Sequence, residues 1–120
     1  EGTVTFGIKI RELRNTKQLT LRELAGSVGM DFTYLSKVEN DRLPPPAEDT
    51  IRKIAKELDA DIDELLLLAK KVPSDLAEYL TSNPDAVEML RSMEGKIYSR
   101  EEWIELKRIA RESGSPRSVD

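Results

Sequence analysis

The stretch Leu19–Asn40, LTLRELAGSVGMDFTYLSKVEN, leaves this chain few ways to fold. Thr20 followed three residues later by Glu23 reads as a capping box and predicts a short helix over Leu21–Ser27. Gly29 ends that helix, because a residue without Cβ enters left-handed backbone at little cost. Asp31 then caps a second helix from Phe32 to about Asn40. Leu24, Ala25, Val28, Met30, Leu35 and Val38 fall where two short helices, crossing steeply, share one small core.

Two helices, a tight turn and that apolar skeleton describe a helix-turn-helix. On Leu19-Thr20, Glu23-Leu24-Ala25, Gly29-Met30, Leu35-Ser36 and Val38-Glu39-Asn40 the chain closely resembles the lambda-repressor/Cro-type (XRE) family. The likeness runs from about Phe6 to Ala69, far longer than a lone motif. It implies an all-α fold: a five-helix lambda-repressor-like DNA-binding domain, here followed by a C-terminal helical extension of about three helices.

The rest of the chain reads in the same terms. Phe6–Lys17 is a helix with Phe6, Ile10 and Leu13 on one stripe. Arg42-Leu43-Pro44-Pro45-Pro46 is extended, since consecutive prolines forbid a helix across them. A fourth helix spans about Glu48–Leu58, burying Ile51, Ile54, Ala55 and Leu58. Asp61 with Glu64 predicts a capping box for a fifth, which carries Leu65-Leu66-Leu67-Leu68. Four consecutive leucines point in nearly every direction around a helix, so this one is expected to be covered on two sides. One side is the bundle; the other is the C-terminal segment or a second subunit. Lys70–Pro73 is the expected hinge. Ser74 caps a helix with Leu76, Ala77 and Leu80 inward; Asn83-Pro84 opens the next, with Val87, Leu90 and Met93 inward and Gly95 as its stop. Ser99 with Glu102 opens the last, bearing Trp103, Leu106, Ile109 and Ala110. Residues 1–5 are expected to be a disordered or appended start, 74–113 a dimerisation or regulatory segment, and 114–120 a loose tail.

Composition narrows the chemistry. There is no cysteine and no histidine among the 120 residues. That removes disulfides, thiolate metal sites, the thiol nucleophile and the commonest general base, so an enzyme is not expected. The acidic cluster Asp59, Asp61, Asp63, Glu64 lacks the central glycine of a calcium loop, and capping explains it better. No cofactor and no metal are expected, and a cytoplasmic protein without a membrane span is. The formal net charge is −4. Between Ile8 and Arg42, however, Lys9, Arg11, Arg14, Lys17, Arg22, Lys37 and Arg42 outnumber Glu12, Glu23, Asp31, Glu39 and Asp41. A modestly positive face on an acidic protein follows.

In the family, the first turns of the third helix enter the major groove, where each base pair shows a distinct donor–acceptor pattern. The resemblance therefore assigns base reading to Phe32, Thr33, Ser36 and Lys37, which share one helix face opposite Leu35 and Val38. Phosphate contacts are expected from Lys17, Thr20, Arg22, Tyr34, Asn40 and Arg42. Leu21 departs from the family pattern, which commonly has a glutamine there gripping a phosphate and orienting a base contact. Arg14 and Glu39 align as the family's ion pair joining the first helix to the end of the third, a structural role.

Family members usually dimerise to read two half-sites about one DNA turn apart, roughly 34 Å. Dimerisation is expected through Leu67, Leu68, Met89, Met93, Trp103 and Leu106, since Trp and Met are enriched in interfaces. The resulting expectation is a sequence-specific regulator, a repressor acting as a homodimer on a pseudo-palindromic operator. Two rivals remain. One is an antitoxin that autoregulates through the same fold while its C-terminal helices hold a toxin; the other is a protein–protein adaptor that does not bind DNA. A resemblance to repressors cleaved by a partner metallopeptidase marks Arg91–Arg100 as the loop to cut.

Overall fold

The computed structural model describes residues 3–117, and among them the secondary structure is eight helices and no strand. These are α1 (Phe6–Thr16), α2 (Leu21–Val28), α3 (Phe32–Glu39), α4 (Glu48–Leu58), α5 (Ile62–Leu68), α6 (Ser74–Thr81), α7 (Pro84–Met93) and α8 (Arg100–Glu112). The outermost parts of the expected loose ends, residues 1–2 and 118–120, lie outside the described residues. Among the described residues no helix is long and apolar enough to cross a membrane.

Local chemistry explains most helix ends. The Thr20 hydroxyl accepts from Glu23 N at 3.0 Å, while Glu23 Oε1 accepts from Thr20 N at 2.8 Å, so both halves of the capping box are formed. Gly29 closes α2 with φ of 71°, in the left-handed region where a Cβ is costly. Asp31 caps α3 by accepting from Tyr34 N at 3.2 Å. Thr5, inside the stretch expected to be a loose start, is the N-cap of α1, and its hydroxyl also donates to Asp41 Oδ2 at 3.0 Å.

The chain divides into two compact units, Glu1–Leu80 and Thr81–Asp120. The division falls one helix beyond Lys70–Pro73. Two hydrogen bonds keep the start of α6 with the first unit: Glu48 Oε2 accepts from Ser74 Oγ at 3.0 Å and from Ser74 N at 3.4 Å. Ser74 is thus the first residue of α6 rather than its cap, and its hydroxyl is spent on α4. The Arg52 guanidinium donates to the same carboxylate oxygen, and these bonds hold the Glu48 carboxyl below its ordinary value.

In the first unit α2 packs on α3 and α4, α1 on α3 and α5, and α4 on α5. Ile10, Leu24, Leu35, Ile51, Ile54 and Leu65 are fully enclosed where these helices meet. Leu13, Leu19, Leu21 and Met30 close the rim. The four leucines of α5 are not covered all round. Leu65 and Leu66 are buried and Leu68 packs against the core, while Leu67 is 68% exposed. Successive residues turn about 100°, so Leu68, Leu65 and Leu66 bracket one arc and only Leu67 falls outside it. Nor is the Asp61–Glu64 capping box formed: Asp61 accepts from Asp63 N at 2.9 Å, and Glu64 pairs with Lys9 on α1 at 3.4 Å. A cross-helix cation outcompetes the local amide.

The second unit has a different character. No residue of α7 or α8 is buried. Ser99 and Glu102 form a complete capping box, Gly95 turns the chain at φ of 80°, and Arg108 holds Glu105 and Glu112 along α8. The Tyr98 and Trp103 rings meet at 5.2 Å with a 56° tilt. Even so, Trp103 is 42% exposed.

One contact in the first unit has no sequence signature. Gly7 on α1 lies against the end of α3, where a Cβ would sit 2.4 Å from Val38 O and 2.7 Å from Glu39 O. Both obstacles are backbone, so neither can step aside cheaply. Gly7→Ala is expected to destabilise the fold by about 1–3 kcal/mol despite the better helix propensity of alanine, measured as a lower urea midpoint.

Candidate nucleic-acid interface

The outer face of α3 is a polar ridge whose opposite side is packed into the bundle. Leu35 and Val38 are buried, so the inward face of α3 is committed to the core. Its C-terminal end is fastened by charge. Arg14 Nε donates to Glu39 Oε2 at 2.8 Å and Nη2 donates to Oε1 at 2.9 Å, a bidentate pair. Arg14 Nη1 also donates to Leu19 O at 3.0 Å, tying in the turn before α2. Glu39 is only 3% exposed, the one charged residue buried among the described residues. Its hydrogen bonds raise Arg14 above the usual arginine value in spite of burial. Such a pair gives orientation as well as energy.

Arg11 joins this fastening, which sequence reasoning missed. Its Nε lies 3.6 Å from Glu39 Oε1, and its Nη2 donates to Asn40 Oδ1 and, at 3.5 Å, to Glu39 O. The signal was present: Arg11 precedes Arg14 by three residues and so shares its side of α1. Asn40 Nδ2 donates to Ser36 O at 2.9 Å. Asn40, expected at a phosphate, is therefore a strut at the end of α3 with both polar atoms of its side chain engaged.

Of the four expected base readers, Thr33 and Lys37 are exposed and Ser36 is half-buried beside them. Phe32 differs. It packs against the core, and the Arg22 guanidinium lies over its ring at 4.3 Å from the centroid. An exposed stack of this kind contributes about 0.5–1 kcal/mol. Leu21, one residue earlier, also packs against the core. Carbon thus fills the place where the family pattern has an amide.

Around the ridge, Lys17, Thr20, Arg22, Tyr34 and Arg42 are exposed. The acids nearby are occupied: Glu23 in its capping box, Asp31 at its cap, Asp41 with Thr5, Glu39 with two arginines. Among the described residues no carboxylate pairs with Lys17, Arg22, Lys37 or Arg42. Unpaired cations around a polar helix face favour a polyanion. Among the described residues no cluster of three or more carboxylates is placed to hold a metal ion. The expected dimerisation residues fall in both units. Leu67 is 68% and Met89 54% exposed; Leu68, Met93 and Leu106 are half-buried.

Residues 10–65 match the helix-turn-helix family model. Among curated proteins, the chain is 33% identical over 76 residues to the uncharacterized HTH-type transcriptional regulator RghRB of Bacillus subtilis, covering 61% of this chain and 55% of that one. It is 32% identical over 65 residues to the HTH-type transcriptional repressor RghR of the same organism, covering 54% and 48%. The chain thus spans about half the length of these curated relatives. Among solved structures, the SinR protein/SinI protein complex contains a chain with the same fold. It is 22% identical, with a TM-score of 0.50 over 89% of this chain and 95% of that one.

Glu39→Ala is expected to cost about 3 kcal/mol, because it strands a partly buried guanidinium. Replacing both Arg14 and Glu39 by leucine is expected to cost less than that single change, read from urea unfolding of the two variants.

Proposed function

We infer a function from one premise: the chain belongs to the helix-turn-helix family of lambda-repressor/Cro (XRE) type. It is a sequence-specific double-stranded-DNA-binding transcriptional regulator, a repressor acting in the cytoplasm. It works by binding rather than by catalysis. The observation that carries this reading is the outer face of α3, where Thr33, Ser36 and Lys37 stand on a helix locked from behind. A helix offered in this way fits the major groove, with its N-terminal residues toward the base edges. The names of the two Bacillus subtilis relatives support regulation, and one of them supports repression.

In this reading Lys37 donates to guanine O6 and N7, while Thr33 and Ser36 exchange hydrogen bonds with neighbouring base edges. Lys17, Thr20, Tyr34 and Arg42 hold the phosphates on either side and set the register. The protein acts as a homodimer on a pseudo-palindromic operator. Support for that comes from α7 and α8, whose Val87, Met89, Leu90, Trp103, Ile104 and Ile109 are all exposed in the single chain. Apolar side chains in such numbers on two amphipathic helices call for a cover, and a second copy supplies a self-complementary one.

Lys37→Ala is expected to weaken operator binding by about 1–3 kcal/mol and to relax preference at one base position, measured by titration against the operator and its single-base variants. Unchanged affinity and specificity would put the base-reading face elsewhere. Trp103→Ala is expected to shift sedimentation toward the monomer; an unaltered dimer would remove Trp103 from the subunit contact.

A further inference from the structure

The contact between Arg22 and Phe32 reassigns a role at the leading end of α3, given the DNA-binding reading above. Phe32 is the first residue of α3, directly after the Asp31 cap, and so stands where the helix first meets a groove. Its own side chain is a poor reader there. The ring is half-buried against the core and one of its faces lies under a guanidinium. A phenyl group also has no donor or acceptor for a base edge.

Arg22 has what Phe32 lacks. Its guanidinium carbon lies over the ring, 4.3 Å from the centroid, and a guanidinium carries more N–H donors than one ring contact can cover. Among the described residues no acceptor takes a hydrogen bond from it. The nearest acids in sequence are unavailable to it: Glu23 closes the capping box with Thr20, and Asp31 caps α3. An arginine already held over a ring loses less freedom on binding than a free one.

We propose that Arg22, held on the Phe32 ring, reads a guanine at the edge of each half-site, and that Phe32 is its platform rather than a base reader. Two of the guanidinium N–H groups match guanine O6 and N7 in the major groove. The same fork also fits a phosphate, so the decisive question is whether the contact carries sequence information.

The test selects binding duplexes from a randomised pool with the wild-type chain, Arg22→Ala, Phe32→Leu and Phe32→Tyr, each checked for helical content. It then titrates the selected duplex against single-base variants over a range of salt. The wild type should select a guanine that Arg22→Ala no longer selects. Replacing that guanine should cost the wild type roughly tenfold in affinity and cost Arg22→Ala almost nothing. Phe32→Tyr, which keeps an aromatic face, should retain the preference; Phe32→Leu, which keeps the apolar bulk, should blunt it. The proposal falls if Arg22→Ala weakens every duplex equally and lowers the salt slope by about one, the mark of a phosphate contact. It falls also if Phe32→Leu leaves the guanine preference intact. A selected sequence that depends on Lys37 but not on Arg22 overturns this proposal alone. Failure of the wild type to select any sequence overturns it together with the DNA-binding reading.

Discussion

A buried carboxylate sets the geometry on which the rest depends. Glu39 sits at the end of α3 with 3% of its surface exposed, and Arg14 on α1 meets it with two parallel hydrogen bonds. A charge in such a place is tolerable only when it is paired and its lone pairs are used. That requirement makes the crossing of α1 and α3 specific: a slide along either helix would break the fork before it relieved anything else. Arg11, Asn40 and Gly7 act at the same crossing. The first two extend the hydrogen bonds around the end of α3, and Gly7 lets the backbones approach to a distance that no side chain permits.

The same pattern of contacts leaves cations without carboxylate partners around α3 in an acidic chain. Its net charge is −4, which taken alone argues against a polyanionic partner. Yet Glu23, Asp31, Glu39 and Asp41 are each consumed by a cap, a hydroxyl or an arginine. Lys17, Arg22, Lys37 and Arg42 remain without a carboxylate among the described residues. Local field, not total charge, decides what can approach α3.

The two units solve the burial problem differently. The first encloses an aliphatic core that includes Ile10, Leu24, Leu35, Ile51, Ile54 and Leu65. In the second, α7 starts on a proline and α8 on a complete capping box, yet no residue of either is fully buried within the single chain. Helices of that length gain little from propensity alone and rely on packing of an amphipathic face. Those faces are left largely exposed in the single chain, with Met89, Leu90, Trp103 and Ile104 among the exposed side chains.

The sequence by itself determined the elements of this protein. Capping residues, glycine stops and apolar periodicity place α1 to α4, the turn at Gly29 and the Ser99–Glu102 box, because these signals act within about four residues along the chain. The Arg14–Glu39 pair was also legible, through resemblance to a known family. What only the tertiary structure decided lies between elements: the single outward leucine of α5, the diversion of Glu64 to Lys9 and of Ser74 to Glu48, the strut made by Asn40, and the capture of Phe32 beneath Arg22. Each depends on where one helix crosses another, and a change of a few ångströms there redirects a side chain without altering any local pattern. Caps and periods are written along the chain; the partners of polar groups are settled only when the helices pack.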